Sequence, residues 1–331
     1  MRTAVVILNW NTKEQLERFL PSVVETSTGA EVIVVDNAST DGSPEMLREI
    51  FPSVRTICLD KNYGFTGGYN RALLPLKEEG FEYLLLLNSD IETPKGWLEP
   101  LVEWMDSHPE CGACGPKLHS MTERDKFEYA GAAGGYLDRY GYPFCRGRVM
   151  HLLETDEGQY DAAPKDVFWV TGACLLVRAS LFDGLDDRFF AHMEEIDLCW
   201  RLQRRGYKVT VIPSSTVYHL GGGTLPVRSR FKLMLNYRNN LLLLDNNLPE
   251  GKRHIIFLRM VLDGCSAAVY LLSGNWQYFK AVIRAHKEFR NMRRGVVPPP
   301  GEHKSEGIYN GWIIALALLR GKKVFKLIHR I

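Results

Sequence analysis

Short apolar segments of strand length alternate with helix-patterned segments in the first part of the chain, and this alternation constrains the fold more than any other feature. The apolar segments are continuous, as in strands that are buried on both faces. The predicted strands are Thr3–Leu8, Glu31–Val35, Val54–Leu59 and Tyr83–Leu87, and the predicted helices are Lys13–Glu25, Ser43–Phe51 (with Ser43 as N-cap) and Gly67–Lys77. Such a series predicts an α/β fold with a mostly parallel sheet and right-handed crossovers.

The rest of the chain has a less regular pattern. Further strands are predicted at Cys111–Leu118, Val167–Arg178, Lys208–Ile212 and Val217–Gly223, a loop or hairpin at Tyr129–Arg148, and a helix at Ala191–Gly206. From Arg230 onward the periodicity is helical, which predicts a C-terminal helical extension.

Polar loops follow the four strands of the first part at their carboxyl ends. These loops are Asn9–Asn11, Asp36–Gly42, Asp60–Gly68 and Asn88–Asp90. The ligand of an open α/β sheet binds beyond the carboxyl ends of its strands, so we expect the loops to converge on one crevice. The glycines of the third loop match neither the phosphate-binding loop of ATPases nor the dinucleotide-binding fingerprint, which disfavours both classes.

Two polar positions carry the pattern of a cation site. Asn88 and Asp90 are two residues apart at a strand end, so their side chains point the same way. An aspartate placed there can bind a hard divalent cation through oxygen, and the cation can neutralise a diphosphate. His219 ends a strand before three glycines and can approach a phosphate or a metal. The alternatives are an ordinary strand-ending turn and a histidine satisfied by backbone hydrogen bonds.

An acidic helix supplies candidate catalytic carboxylates. Glu194, Asp197 and Arg201 share one helix face, whereas Glu195 points about 100° away from Glu194. If that direction is the crevice, Glu195 is a candidate general base, since transfer to a hydroxyl requires a carboxylate to take its proton. The alternative is a surface helix with salt bridges.

Charge is divided unevenly along the chain. The net charge is +2, yet residues 228–331 contain 19 Lys and Arg against 6 Asp and Glu, a balance of +13 that leaves −11 for residues 1–227. A basic C-terminal region favours an anionic partner such as phosphate or a membrane surface. No nucleic-acid-binding motif is recognisable, so we expect no nucleic acid. The alternative is a solvated basic face without a partner.

The C-terminal region contains two apolar segments. Residues 255–272 include Arg259 and Asp263, and no run of 18 apolar residues exists, so we expect no spanning helix. Residues 312–331 mix apolar and basic residues in the manner of an interfacial helix on anionic lipid. Packing against the body, or formation of a homodimer, is the alternative for this segment. With no visible signal peptide, we expect a cytoplasmic protein, either free or peripheral on the inner face of the cytoplasmic membrane.

Seven stretches taken together resemble family 2 glycosyltransferases, above all the bacterial rhamnosyltransferase-like branch. They are VVILNWN, VIVVDNASTDGS, NYGFTGGYNRAL, YLLLLNSDIE, WVTGACLLVRAS, FFAHMEEIDLCWRLQRRGY and VYHLGGGT. The resemblance covers about residues 1–240 and implies the GT-A fold, a nucleotide-binding α/β half joined to an acceptor-binding half. We therefore expect a glycosyltransferase domain at 1–235, divided near 118, and a basic helical region at 236–331.

The resemblance also implies roles for individual residues. Glu195 matches the base, with Glu194 and Asp197 as alternatives, and Asn88 with Asp90 matches the family's DXD motif, whose first aspartate is asparagine here. Asp90 and His219 are the implied ligands of Mg²⁺ or Mn²⁺. The donor-binding candidates are Trp10, Asn11, Asp36, Asn37, Asn62, Gly67, Gly68, Asn70, Asn88, Arg228 and Arg230, and the acceptor-binding candidates are Trp169, Thr171, Gly172 and Ala173.

The implied reaction is a single in-line displacement that inverts the anomeric centre. The expected donor is a dTDP- or UDP-sugar such as dTDP-rhamnose, and the expected acceptor is a glycan or a polyprenyl-diphosphate-linked sugar of cell-surface polysaccharide synthesis. A nucleotidyltransferase is disfavoured because Asn9–Thr12 is unlike its glycine-rich basic loop. A non-catalytic GT-A module is disfavoured because Asp90 and the acidic pair are present.

Overall fold

The computed structural model describes residues 1–128, 131–221, 229–295 and 305–329. Its first part follows the predicted alternation closely. The elements are β1 (Thr3–Asn9), α1 (Lys13–Thr26), β2 (Ala30–Asp36), α2 (Ser43–Ile50), β3 (Arg55–Cys58), α3 (Gly64–Glu78) and β4 (Tyr83–Asn88). β1 pairs in parallel with both β2 and β4, and β2 pairs in parallel with β3. Strands β1, β2 and β4 are largely buried on both faces, as predicted, whereas β3 lies at the sheet edge and is only partly buried.

The start of α2 differs from the prediction. Gly42, in a left-handed conformation, is the N-cap, and Ser43 is already the first helical residue. The Asp41 carboxylate accepts hydrogen bonds from the Ser43 amide and hydroxyl groups, so the aspartate satisfies the helix start instead of the serine.

The second part extends the same sheet with strands of both directions. The elements are β5 (Ile91–Glu92), α4 (Glu99–Ser107), β6 (Cys111–Ser120), β7 (Gly135–Asp138), β8 (Pro143–Cys145), β9 (Arg148–Val149), β10 (Leu152–Leu153), β11 (Lys165–Asp166), β12 (Cys174–Arg178), α5 (Glu194–Arg204) and β13 (Lys208–His219). The main sheet has the order β11-β13-β6-β12-β4-β1-β2-β3, with β5 paired to β13. β12 pairs antiparallel with β4 and β6, so it joins the two parallel parts.

Two strand predictions in this part need correction. The predicted strand Val167–Arg178 is regular only from Cys174, because Val167 and Trp169 hydrogen-bond to Val209 and Gly135 instead of β4, and residues 171–174 form a turn. The predicted strands Lys208–Ile212 and Val217–Gly223 are one strand, β13, which ends at His219 and carries a register shift between Ile212 and Thr216. Gly222 and Gly223 lie outside the described residues.

The C-terminal region is mostly helical, as predicted. Its elements are α6 (Arg230–Asn247), α7 (His254–Leu272), α8 (Trp276–Met292), β14 (Ile308–Tyr309), α9 (Ile313–Arg320) and α10 (Phe325–Ile328). β14 joins β7–β10 in a second, five-stranded sheet. α6 runs without a break across residue 235, where we predicted a domain boundary, and one hydrophobic core contains residues of both parts.

The predicted interfacial helix at 312–331 is not a single helix. It is interrupted at Gly321, and several of its apolar side chains pack in the main core or against it, namely Ile313, Ile314, Leu316, Ala317, Val324, Phe325 and Ile328. Among the described residues of this segment, Leu318 and Leu319 are largely exposed beside the basic residues, and Trp312 is 39% exposed. Packing against the body, the alternative for this segment, therefore describes most of it.

Candidate active site

The carboxyl ends of β1 and β2 are joined by buried hydrogen bonds. Asn9 donates to Asp36 Oδ1 over 2.8 Å, and the second Asp36 oxygen accepts from the Ser39 amide. Thr12 donates to Asn9 and lies 3.0 Å from the Ser89 hydroxyl, so the network reaches the loop after β4. The loops converge on one crevice, as predicted. Asp36 itself is almost fully buried and shapes the loop of the predicted nucleotide site.

Asn37 and Asn62 tie neighbouring loops together. The Asn37 amide group donates to Asn62 Oδ1 and to the Gly64 carbonyl, while its oxygen accepts from the Tyr63 amide. Asn62 Oδ1 also accepts from the Gly64 amide. All the side-chain hydrogen-bonding groups of Asn37 are therefore bonded within the protein. Asn37 positions the neighbouring loops and does not contact the donor directly as predicted.

Trp10 and Asn11 lie at the open edge of the crevice. The Trp10 side chain is 39% exposed after β1. Asn11 adopts a positive φ of 51° and accepts a 2.7 Å hydrogen bond from the Thr40 amide, which fixes the loop beside it. Trp10 therefore remains the candidate for stacking against a nucleotide base.

The glycines of α3 serve helix packing. A Cβ at Gly68 would lie 2.7 Å from a Leu8 methyl group, and one at Gly67 would lie 2.9 Å from Tyr63 Cβ. The amides at the start of α3 are also occupied, because those of Phe65 and Thr66 donate to the Phe190 carbonyl. These glycines therefore allow close packing inside the protein and not, as we predicted, an approach of the backbone to the donor.

Asn70 is also a tether. Its amide group donates to the Leu185 carbonyl and to Asp187, and its oxygen accepts from the Leu185 amide over 2.7 Å. These bonds hold α3 against the segment that leads into α5. Asn70 therefore positions these two segments and does not contact the donor as predicted.

The predicted metal ligands come together although they lie 129 residues apart in the chain. β5 begins directly after Asp90 and pairs antiparallel with the end of β13, so His219 lies opposite Ile91. His219 Nε2 is 3.1 Å from Asp90 Oδ1 and 3.4 Å from Asn88 Nδ2. The Asn88 and Asp90 side chains thus reach the same imidazole, as their spacing predicted.

Glu128 is a third charged group of this site, which the sequence did not reveal. Its carboxylate lies 3.3 Å from His219 Nδ1, and both side chains are buried. Burial opposes a charged imidazole, but hydrogen bonds to Asp90 and Glu128 outweigh it and raise the pKa of His219 to about 10. Burial would raise the pKa of Asp90, yet the hydrogen bond from His219 outweighs this effect and the net pKa is lowered.

The chemistry of this cluster fits a divalent cation. Two neighbouring ligands of an octahedral ion at about 2.1 Å lie roughly 3 Å apart, which matches the 3.1 Å between Asp90 Oδ1 and His219 Nε2. A carboxylate behind the other imidazole nitrogen is the usual partner of a metal-bound histidine, and metal binding would displace the Nε2 proton. Within the described ranges no three His, Cys, Asp or Glu side chains form a complete metal site, so remaining ligands must come from donor phosphates or water.

The two adjacent glutamates of α5 differ in environment. Glu194 is buried, and burial together with the neighbouring Glu195 raises the pKa of its carboxyl well above the ordinary range. Glu195 is partly exposed, and burial, opposed by backbone amides at the helix start, raises its pKa to about 7. In each carboxyl group one oxygen has no hydrogen-bond partner. Glu195 can therefore lose its proton near neutral pH while Glu194 stays neutral.

Glu195 and the metal cluster are linked through one loop. A Cβ at Gly172 would lie 3.5 Å from Glu195 Cβ, and the next carbonyl, that of Ala173, accepts from the Asn88 amide over 2.9 Å. The Thr171 hydroxyl accepts from the Ala173 amide and stabilises this turn. Residues 171–173 thus lie between Glu195 and Asn88, and their contact with an acceptor stays a prediction.

Trp169 belongs to the core instead of the crevice. Its indole packs on Gly135, where an added Cβ would lie 2.0 Å from the ring, and its N–H donates to the Tyr136 carbonyl. The predicted acceptor contact of Trp169 is therefore corrected to a supporting role beneath residues 171–173.

A strained loop precedes the glutamates and is held by α6. Phe190, His192 and Met193 all have positive φ, which costs free energy in residues other than glycine. The Asn239 amide donates to the carbonyls of Phe189, Ala191 and His192, at distances of 2.7 to 2.9 Å. Asn239 therefore fixes the loop that leads into the two glutamates of α5.

Asp197 stabilises this region and is corrected as a candidate base. It is fully buried, and its carboxylate accepts hydrogen bonds from Arg201 (2.9 Å), Asn246 (3.0 Å) and Asn247 (2.8 Å). A carboxylate that is occupied by three donors away from solvent cannot take a proton from an acceptor.

Replacing Asp197 with asparagine should lower the free energy of unfolding by about 3 kcal/mol, because Arg201 and two amides lose their anionic partner. Urea denaturation followed by circular dichroism measures the change. Nucleotide binding at a temperature where the variant is folded should match the wild type. Unchanged stability together with a loss of turnover above about 100-fold would return Asp197 to the catalytic residues.

The basic residues after β13 have different environments. Arg228 lies outside the described residues, and Arg230 is exposed at the first position of α6. Arg238 is buried, with a 2.9 Å bond to Glu288, so it is unavailable to a diphosphate. Lys232 is half-buried, and burial lowers its pKa although the nearby Glu128 acts in the opposite direction. Among the described basic residues after β13, Lys232 is therefore the one that lies beside the Asp90, His219 and Glu128 side chains.

Two cavities lie outside the crevice. One of about 730 Å³ lies at the amino end of β13, lined by Trp104, Lys165 and Lys208. The other, of about 760 Å³, lies between Arg230 and the turn that joins α7 to α8. Neither contains Asp90 or Glu195, so the chemistry belongs to the open crevice at the carboxyl edge of the sheet.

The fold and the crevice define a glycosyltransferase of the GT-A class. GalNAc-T7, solved with UDP, GalNAc and Mn²⁺, superposes with a TM-score of 0.55 at 17% identity, over 74% of this chain and 48% of that one. The Staphylococcus aureus TarS fragment in complex with UDP-GlcNAc superposes with a TM-score of 0.54 at 18% identity, over 86% of this chain and 81% of that one. The predicted fold class is confirmed.

The chain belongs to glycosyl transferase family 2, whose profile matches residues 4–183. It is 30% identical over 234 residues to the N-acetylglucosaminyl-diphospho-decaprenol L-rhamnosyltransferase of Mycobacterium tuberculosis, an alignment that covers 65% of this chain and 75% of that protein. The resemblance to the rhamnosyltransferase-like branch is thereby confirmed. The protein is a glycosyltransferase that uses a nucleotide-sugar donor.

Proposed function

We propose that this protein transfers rhamnose, with inversion, from a dTDP-sugar to a hydroxyl of a polyprenyl-diphosphate-linked sugar in cell-surface polysaccharide synthesis. The relationship to the mycobacterial rhamnosyltransferase supports the sugar and the lipid-linked acceptor. The observation that carries the mechanism is the pair of glutamates with separated pKa values, one loop away from the Asp90–His219 cluster.

Glu195 acts as the general base in this proposal. The Glu195 side chain is partly exposed, and its carboxylate accepts the proton of the acceptor hydroxyl as the hydroxyl oxygen attacks the anomeric carbon. The bond from the anomeric carbon to the diphosphate oxygen breaks in the same step, so a nucleoside diphosphate leaves and the configuration inverts. Neutral Glu194 adds no second negative charge beside the base, which keeps Glu195 ionised near neutral pH.

Asp90 and His219 would hold a divalent cation, Mg²⁺ or Mn²⁺, which supplies positive charge to the leaving diphosphate when it is bound. Asn88 lies beside His219, where its amide can face a phosphate oxygen. Glu128 orients the imidazole from behind, and Lys232 adds a fixed positive charge at the same side. Trp10 stacks on the nucleotide base at the crevice edge.

The pH dependence of turnover should report Glu195. We expect kcat/KM to rise with pH through about 7 and then to level off, because the base works only after its carboxyl loses a proton. Steady-state rates across the neutral range, at saturating metal, measure this. A rate that falls as the pH rises through the same range would contradict the assignment of a base.

A transfer assay with a panel of donors tests the proposed substrate. dTDP-rhamnose, UDP-sugars and GDP-mannose are each incubated with Mn²⁺ and a short-chain polyprenyl-diphosphate-linked GlcNAc, and products are detected by mass spectrometry. The proposal predicts a product with the mass of one added deoxyhexose from dTDP-rhamnose alone. If a product forms from a UDP-sugar alone, the assigned donor is wrong. If products form on free glycans but never on the lipid-linked sugar, the assigned acceptor is wrong.

A further inference from the structure

Helix α7 has the reverse of the polarity expected for a surface helix. Its outward side chains are apolar, with exposed fractions of 69% for Phe257, 48% for Val261, 63% for Val269 and 87% for Leu272. Among the described residues, the stretch Glu250–Leu272 is long and apolar enough to cross a membrane by length and composition alone. An exposed apolar surface of this size marks an interaction site.

The charged residues of α7 face the protein. Arg259 and Asp263 form a buried ion pair with a distance of 2.9 Å. Arg259 also donates to Asn240 of α6 and lies 3.6 Å from the Tyr142 ring centre, while Asp263 is 3.3 Å from His286 of α8. The inner side of α7 is therefore fixed by polar contacts on three neighbouring segments.

We propose that α7 lies flat in the interface of an anionic bilayer, with Phe257, Val261, Val269 and Leu272 among the acyl chains. A spanning orientation would separate Arg259 from Asn240 and Asp263 from His286. It would also expose both charges to lipid, at a large cost in free energy. A helix that keeps its polar side on the protein and its apolar side in the interface avoids this cost.

The charge of the surroundings favours lipid over a second copy of the chain. Lys280, Lys287 and Arg290 are exposed on α8, which packs beside α7, and residues 228–331 carry +13 in total. Two such regions facing each other would repel, whereas anionic headgroups are attracted by them. Trp276, the first residue of α8, is 58% exposed and is of the residue type that concentrates at the headgroup level.

This surface is close to the crevice. The turn after α7 and Arg230 line the cavity of about 760 Å³, and the next residue, Phe231, has its ring 6.1 Å from that of Phe190 in the loop before the glutamates. A lipid-linked acceptor could thus stay in the bilayer while its sugar reaches Glu195. This purpose rests on the proposed function, whereas membrane binding itself is measurable without donor or acceptor.

Two native cysteines provide a site-specific probe. Cys265 is exposed on α7 and Cys58 is exposed at the end of β3, while the other five cysteines are buried. An environment-sensitive fluorophore is attached to Cys265 in the C58S variant and to Cys58 in the C265S variant. On addition of phosphatidylcholine vesicles that contain phosphatidylglycerol, we expect a blue shift at Cys265 and none at Cys58. No shift at Cys265, or equal shifts at both sites, overturns the proposal.

Flotation with the same vesicles measures the affinity of the full chain. Phe257→Glu combined with Val269→Glu should reduce the bound fraction at least about tenfold, because charge replaces exposed apolar groups. Ile50→Glu, at an equally exposed apolar position on α2, should leave it unchanged, and all variants should bind nucleotide like the wild type. Two results would contradict the proposal. One is that the α7 variant still floats with the vesicles whereas a Leu318→Glu/Leu319→Glu variant does not. The other is that the wild type binds no vesicles and forms a dimer that the α7 substitutions dissociate.

Discussion

Glu195→Gln should reduce kcat by about 10³-fold while leaving the affinity for the nucleotide sugar within about twofold. Glutamine keeps the size and polarity of the side chain but cannot accept the acceptor proton. The residual rate should lose its dependence on pH near 7, because the group that titrates there is gone. Rapid-quench or steady-state kinetics with calorimetry of donor binding provide both quantities.

Glu194→Gln is the matched control for this experiment. Since burial and Glu195 keep the Glu194 carboxyl protonated, a neutral amide resembles its working form, and we expect less than about a tenfold change in kcat. The pair of variants separates neighbouring residues of the same type. An inactive Glu194→Gln enzyme together with an active Glu195→Gln enzyme would exchange their roles.

Asp90→Asn should weaken the metal-dependent binding of the nucleoside diphosphate by about 100-fold and reduce turnover at least as much. The substitution removes the carboxylate that lies 3.1 Å from His219 Nε2 and so removes the charged ligand of the cluster. Calorimetry of the nucleoside diphosphate with Mn²⁺, and with EDTA in its place, gives both affinities.

Asn88→Asp provides the opposite change at the same cluster. It adds a carboxylate next to His219 Nε2 and restores the first aspartate of the DXD motif, so the affinity for Mn²⁺ should increase. If Asp90→Asn bound nucleotide with the same metal dependence as the wild type, the cation site would have to lie elsewhere.

The sequence indicated that Asn88, Asp90 and His219 lie together because strand ends impose geometry. Asn88 and Asp90 end one strand region and His219 ends another, and both ends lie at the ligand-binding edge of the sheet. The prediction needed no side-chain detail beyond period-two alternation. The sequence did not predict Glu128 as part of this cluster because the residue lies in an irregular segment without periodicity.

Glycines and amides were predicted less well. A glycine indicates that something approaches the backbone closely, but the pattern does not say what, and at Gly68 the neighbour is Leu8. Asn37 and Asn70 likewise bond to protein groups that are distant in sequence. Such partners follow from tertiary packing, which a linear pattern does not encode.

The orientation of α7 shows the same limit. In the sequence, Arg259 and Asp263 were evidence only against a spanning helix, yet both face inward, where Asn240 and His286 bind them. Composition reports which groups a helix carries, whereas its neighbours decide which side remains exposed.

The anomeric configuration of the product tests the central claim most directly. In the proposed mechanism, Glu195 is the one base of a single displacement, and no covalent sugar intermediate forms. Nuclear magnetic resonance of the purified product should therefore show a new linkage whose anomeric configuration is opposite to that of the nucleotide sugar. A product that keeps the configuration of the donor would contradict the single displacement and, with it, the role assigned to Glu195.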